Sequence, residues 1–230
     1  MHLSEIAQHN PDKPAYIMAA SGKTVTYAEL EAGSNQMANL FRSLGLNRGD
    51  HIAILLENHP LFLQVCVAAQ RAGLYYTAIS YRLQSDEVEY IVKDCGAKIF
   101  ITSIDRRAVA EPLLDKLENL DRFFMLDGLI AGCESLEEAM QSQSTAVIGD
   151  ESIGTSMLYS SGTTGRPKGV FRALPEGTWG AEDPSVMFQA LYGADSDSIY
   201  LTPAPLYHAA PLTFTMGFLL GGMTCVVMEH

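Results

Sequence analysis

The chain has 230 residues, of which 47% are hydrophobic and 18% charged, a globular composition with enough apolar material for a sizeable core. A formal net charge of −12, with its 15 Lys and Arg scattered, excludes nucleic-acid partners held by clustered cations. Four dispersed cysteines (Cys66, Cys95, Cys133, Cys225) show no metal-ligand spacing and suit a reducing, cytoplasmic setting, and no secretory signal opens the sequence.

Residues 14–20 predict a first strand. Thr26-Tyr-Ala-Glu29 forms a capping box, and Leu30, Met37, Leu40, Phe41 and Leu44 follow at helical spacing until Gly45. Residues 51–56 read as a buried strand, 60–72 as an apolar helix ending at Gly73, and 74–79 as the next strand. Ser85 is expected to cap a short helix carrying Val88, Ile91 and Val92; its acidic pair Asp86 and Glu87 suits the helix dipole. Strand 98–102, a helix over 106–120 broken near Pro112, strand 122–126 and a polar helix over 134–142 complete the first part.

Strands separated by helices of this length make βαβ units. The expected fold is α/β, with largely parallel sheets flanked by helices. A Ser-, Gln- and Thr-rich connection over 141–156 divides a first α/β subdomain (1–145) from the start of a second (146–230).

Residues 209–228 lack any charge, but Pro211 opens the run and Gly221-Gly222 interrupts it. The remaining helix of about ten residues reaches only about 15 Å, half a hydrocarbon core, so a buried helix, a glycine turn and a buried strand are expected in place of a membrane span. An apolar strand directly before Glu229-His230 is expected to leave one face open, as in an interrupted chain. Trp179 lies in a Gly-rich stretch that reads equally as a border of a substrate entrance or as a surface turn.

The stretch 159–170, Tyr-Ser-Ser-Gly-Thr-Thr-Gly-Arg-Pro-Lys-Gly-Val, carries the most chemistry. Its glycines (Gly162, Gly165, Gly169) permit positive φ and close backbone approach. Consecutive amides in such turns form an anion-holding concavity. Ser160, Ser161, Thr163 and Thr164 add hydroxyl donors, Arg166 and Lys168 add charge, and Pro167 stiffens the exit. The order of residues differs from the Walker A pattern, because Gly169-Val170 follows Lys168.

This stretch resembles the phosphate-binding signature of adenylate-forming enzymes, which include acyl-CoA synthetases, aryl-CoA ligases and peptide-synthetase adenylation domains. Further matches are Thr26-Tyr-Ala-Glu-Leu30, Gly49-Asp50-His-Ile-Ala53, Ala69-Gln-Arg-Ala-Gly73 and Tyr90-Ile-Val-Lys-Asp-Cys-Gly-Ala-Lys98. Pro205-Leu-Tyr-His-Ala-Ala-Pro211 resembles the family's aromatic-His motif near the acyl pocket. Thr77-Ala-Ile-Ser-Tyr81 and Phe171-Arg172-Ala173 depart from common family patterns.

The resemblance implies an ATP-dependent carboxylate–CoA ligase that forms an acyl-adenylate and then a thioester. On it, Ser160, Ser161, Gly162, Thr163, Thr164, Gly165, Arg166, Pro167 and Lys168 would hold the nucleotide phosphates. His208 would act catalytically by orienting the carboxylate, and Tyr207 would line the substrate pocket with it. Implied partners are a small carboxylic acid, ATP, coenzyme A and a C-terminal part of the same enzyme; Mg²⁺ is implied with ligands outside this chain. The likeness is to the N-terminal part of such enzymes, expected to be inactive alone. A non-catalytic nucleotide-binding or scaffolding protein with the first half of the fold is the alternative.

Overall fold

The computed structural model describes residues 2–118, 120–160 and 166–229. The first part runs α1 (Leu3–His9), β1 (Pro14–Met18), β2 (Thr24–Thr26), α2 (Tyr27–Ser43), β3 (His51–Leu55), α3 (Phe62–Arg71) and β4 (Tyr75–Ala78). Next come α4 (Ser85–Asp94), β5 (Ala97–Ser103), α5 (Arg107–Ala110), β6 (Arg122–Leu126), β7 (Glu134–Ser135) and α6 (Leu136–Gln141). The chain continues through β8 (Thr155–Ser156), β9 (Leu158–Ser160), β10 (Lys168–Val170), α7 (Pro184–Tyr192), β11 (Ile199–Thr202), α8 (Ala209–Leu220) and β12 (Thr224–Val227).

One sheet has six strands in the order β7-β6-β5-β3-β4-β8, and all its pairings are parallel. A second has four in the order β11-β12-β1-β2, with only β1–β2 antiparallel. β9 and β10 form a separate antiparallel hairpin. The fold is α/β with mostly parallel sheets flanked by helices, as the alternation of patterns predicts. Both larger sheets take strands from either side of residue 145.

Side-chain alternation explains the layering. In β3, β5 and β6, Ile52, Ile54, Ile99, Ile101, Phe124 and Leu126 point into a core that also holds α2, α3 and the four-stranded sheet. Their neighbours Ala53, Leu55, Phe100, Phe123 and Met125 point the other way, against Val88, Ile91 and Val92 of α4. A strand buried on both faces reads as a continuous apolar run, which is why these strands show no polar alternation.

The capping box at Thr26 forms: its hydroxyl accepts from Glu29 N–H (3.2 Å), and the Glu29 carboxylate accepts from Thr26 N–H (2.8 Å). Gly45, Gly73 and Gly96 follow α2, α3 and α4 with φ of +82°, +67° and +65°, the left-handed turn that stops a helix. Ser85 does not cap α4. Gln84 holds that position, Glu87 accepts from its amide (2.9 Å), and the Ser85 hydroxyl donates to the Val109 carbonyl instead. The expected helix over 106–120 shrinks to α5 with a 3₁₀ turn on each side, since Pro112 interrupts the α-type ladder.

The residues after 208 form an apolar helix, a glycine turn and a strand, as expected. No helix of the described residues is long and apolar enough to cross a membrane. The open face expected on the last strand is not found at β12, which lies between β11 and β1 with its side chains mostly buried. Exposed apolar side chains gather instead on α7 (Val186, Leu191, Tyr192) and on β11 (Ile199, Leu201). β11 is an edge strand, and α7 buries only Phe188.

The deepest charge is Arg71, at the end of α3 and fully buried. Its guanidinium donates to Glu31 (2.8 Å) and to Asn35 and Ser34 on α2, and faces Glu151 at 3.2 Å. It also lies 4.6 Å above the ring of Trp179, which is buried and packs edge-on against His2 at 5.0 Å. Trp179 is therefore not a surface turn. One cation thus joins two helices to the segments that precede and follow the 159–170 stretch. Replacing Arg71 with Met should cost about 2–4 kcal/mol, because the partly buried Glu31 and Glu151 would lose their counter-charge. Urea unfolding followed by the single tryptophan tests this; an unchanged midpoint would show that the carboxylates do not need the cation.

Candidate functional site

The two chemistry-bearing stretches of the sequence meet at one cleft of about 570 Å³. Its floor comes from Ala78, at the carboxyl end of β4, and from Ile79 and Ser80 just beyond. Helix α4 contributes Glu87 and Ile91, and the hairpin contributes Leu158, Tyr159, Ser160 and Pro167. Tyr207, His208 and Ala209 close the other side at the start of α8. A crevice beyond the carboxyl ends of parallel strands is the usual ligand position in α/β sheets.

Local structure fixes each wall. The hairpin register pairs Ser160 with Lys168, Tyr159 with Gly169 and Leu158 with Val170, so a seven-residue connection leaves and returns at the cleft. Ser161, Gly162, Thr163, Thr164 and Gly165 lie outside the described residues. Lys168 is exposed and makes no ion pair with a described residue.

Gly169 was expected to serve backbone freedom, and its reason differs. It does not have positive φ; a Cβ there would fall 2.5 Å from the Met157 methyl and 3.1 Å from the Tyr159 ring. The glycine lets an aromatic side chain lie across the partner strand.

Both arms of the hairpin reach α4. The Tyr159 hydroxyl donates to Asp94 at 2.6 Å. Burial, aided by the Asp94 carboxylate, pushes the Tyr159 phenol well above its ordinary range, so it remains a donor throughout physiological pH. The Arg166 guanidinium lies 5.4 Å from the Tyr90 ring centre, outside the cleft lining.

Tyr207 is buried and packs edge-on against Tyr81 at 5.1 Å. His208 is exposed, tilted against Tyr207 at 4.3 Å, and occupies the N-cap of α8 without a side-chain capping bond. Its ring is thus free for the cleft, and the positive end of a 12-residue helix opens beside it. The Ser80 and Ser160 hydroxyls and the α8 N-terminus, which can receive an anion, line this cleft together with Glu87, while Lys168 follows Pro167 in the chain and lies outside the lining. Among the described residues no group of three or more His, Cys, Asp or Glu could hold a metal ion.

Comparison with known proteins decides the family: residues 3–230 match the AMP-binding enzyme family. The chain belongs to it. Among curated relatives, the long-chain-fatty-acid–CoA ligase FadD13 of Mycobacterium tuberculosis is 29% identical over 232 residues, covering 99% of this chain and 44% of the relative. Feruloyl-CoA synthase of an Amycolatopsis species is 30% identical over 206 residues, covering 89% of this chain and 37% of that enzyme. The N-terminal domain of FACL13 from Mycobacterium tuberculosis superimposes with a TM-score of 0.80 at 23% identity, over 99% of this chain and 56% of that one. The anthranilate CoA ligase AuaEII, solved with anthranoyl-AMP, gives 0.82 at 20% identity, over 100% and 45%. These structures share the fold, and this member of the family spans less than half of the curated ligases it matches.

Sequence reading missed Asp94 and Tyr90 as partners of the loop. The available signal was their i, i+4 spacing, which puts both loop partners on adjacent turns of the helix that also brings Glu87 and Ile91 to the cleft. Replacing Gly169 with Ala should lower stability by about 1–3 kcal/mol through overpacking under Tyr159. Thermal unfolding checks this, and a variant as stable as the parent would show that the Tyr159 ring moves aside freely.

Proposed function

We propose that this chain supplies the N-terminal portion of an ATP-dependent carboxylate–CoA ligase, which makes an acyl-adenylate and then transfers the acyl group to coenzyme A. The observation that carries the reading is the convergence of Ser160, Pro167, Tyr207 and His208 on one cleft from stretches about 40 residues apart. Relatives described as CoA ligases support the reaction class. The anthranoyl-AMP held by a ligase of the same fold supports an adenylate in the cleft.

In this reading the loop from Ser160 to Lys168 grips the β- and γ-phosphates through its amides, its hydroxyls and Lys168. Thr163 and Thr164 are the chief hydroxyl donors and Lys168 the supporting cation. As the acid's carboxylate attacks the α-phosphorus, the bond to pyrophosphate breaks and negative charge grows on the departing oxygens. Fixed donors already aimed at those oxygens lower the barrier without reorganising. Mg²⁺, when bound, would offset the same charge; the described residues offer it no cluster of ligands.

His208, tilted against Tyr207, orients the incoming carboxylate at the N-terminus of α8, where its charge is favoured. Buried Tyr207 forms the acyl-side wall. A C-terminal part of the same enzyme completes adenylation and thioesterification, so the 230 residues alone are inactive or nearly so. Four free cysteines and the use of ATP and coenzyme A suit the cytoplasm.

The test is ATP–pyrophosphate exchange in the complete enzyme with a panel of carboxylic acids. Joint replacement of Thr163 and Thr164 by Ala should reduce exchange at least a hundredfold, about the loss seen when a charge-stabilising donor is removed. His208→Ala should act mainly on the acid's KM. Unchanged exchange in the threonine variant would remove the loop from the chemistry.

A further inference from the structure

We infer that helix α4 positions the phosphate loop, with Asp94 and Tyr90 as its two anchoring residues and Arg166 as an anchor of the loop instead of a phosphate ligand. The inference rests on the proposed nucleotide site and assigns its regulation to a helix outside the loop.

Three observations converge. On the entering arm, the Tyr159 hydroxyl donates to the Asp94 carboxylate at 2.6 Å, a short charge-assisted bond. On the returning arm, the Arg166 guanidinium lies 5.4 Å from the centre of the Tyr90 ring, within cation–π range. Tyr90 and Asp94 are one turn apart on α4, so a single helix touches both arms, at Tyr159 within β9 and at Arg166 two residues ahead of β10.

Gly169 supplies the third. Lacking a Cβ, it lets the Tyr159 ring cross the returning strand on its way to Asp94. Pinning one arm therefore presses on the other. α4 itself is well seated: Val88, Ile91 and Val92 are buried against the six-stranded sheet. Of its other acids, Asp86 pairs with Lys116 (2.6 Å), Glu89 with Lys93 (2.7 Å) and Lys116, and Glu87 accepts from the Gln84 amide (2.9 Å) at the cleft.

Fixing both arms matters because a loop that must order itself around a polyphosphate spends binding energy on that ordering. Arg166 used in this way gives up its contact with the phosphates, which leaves Lys168 as the described cation of the loop free to meet them.

Hydrogen–deuterium exchange of the 230-residue chain, read over residues 166–170, tests the clamp without nucleotide. Tyr159→Phe and Tyr90→Leu should each speed exchange about fivefold, while Tyr90→Phe, which keeps the ring face, should match the parent. Mg²⁺–ATP titration by calorimetry is the second arm. Tyr90→Leu and Arg166→Gln should each weaken binding about three- to fivefold, their double variant no further, and the salt dependence should be unaltered.

Exchange rates equal to the parent's in both Tyr159→Phe and Tyr90→Leu would overturn the inference. So would a flatter salt dependence in Arg166→Gln, the mark of a phosphate ligand. If the parent chain binds no ATP while the exchange pattern holds, the clamp stands and the nucleotide reading falls.

Discussion

A fully buried guanidinium is costly unless it is paired, and the fold surrounds Arg71 with partners, its Nε facing Glu151 at 3.2 Å as an ion pair without a hydrogen bond. Two carboxylates, a hydroxyl, an amide and an indole face surround this one side chain. They come from α2, from the strand of chain at 151 that leads into β8, and from the stretch at 179 that leads into α7. Each is far from the others in sequence, so the cation fixes their relative placement before any ligand arrives. Hydrophobic burial alone would tolerate sliding of these segments. A paired buried charge does not, because any displacement strands a carboxylate.

The cleft inherits that geometry. β8 passes almost directly into β9, so the hairpin starts from a segment tied to Arg71 and to β4. From the other side, α8 is held by Tyr27, whose buried hydroxyl donates to the Leu219 carbonyl at 2.7 Å. Ser160 and Pro167 of the hairpin and the Tyr207-His208 pair therefore line one cleft, between the β4 edge and the start of α8. The resulting cleft combines apolar walls at Ile79, Leu83 and Leu158 with the Ser160 hydroxyl, the Glu87 carboxylate and the start of α8.

Much of this was legible in the sequence because its signals are local. The capping box, the glycines with positive φ and the doubly buried strand runs each report on a few neighbouring residues, and each formed where the pattern placed it. The failures involve distance. Ser85 looks like a cap, yet Gln84 takes that position and the hydroxyl turns to Val109, a partner 24 residues away. Trp179 reads equally as an entrance border or a surface turn, because Arg71 and His2, against which it is buried, are invisible from its own segment. Gly169 looks like a flexible loop residue until the Tyr159 ring is seen across it. Membership of the family was readable from the order of motifs. That Tyr207 and His208 share a cleft with Ser160 and Pro167 needed the chain to be folded.

The account turns on whether that cleft receives the nucleotide. Backbone amide shifts of the isotope-labelled chain, followed during titration with Mg²⁺–ATP, address this directly. The predicted result is a set of perturbations centred on Ser160, Lys168, His208 and Ala209, with the separate pocket lined by Trp179 and Leu220 unchanged. Perturbations confined to the Trp179 side, or none at saturating ATP, would contradict it.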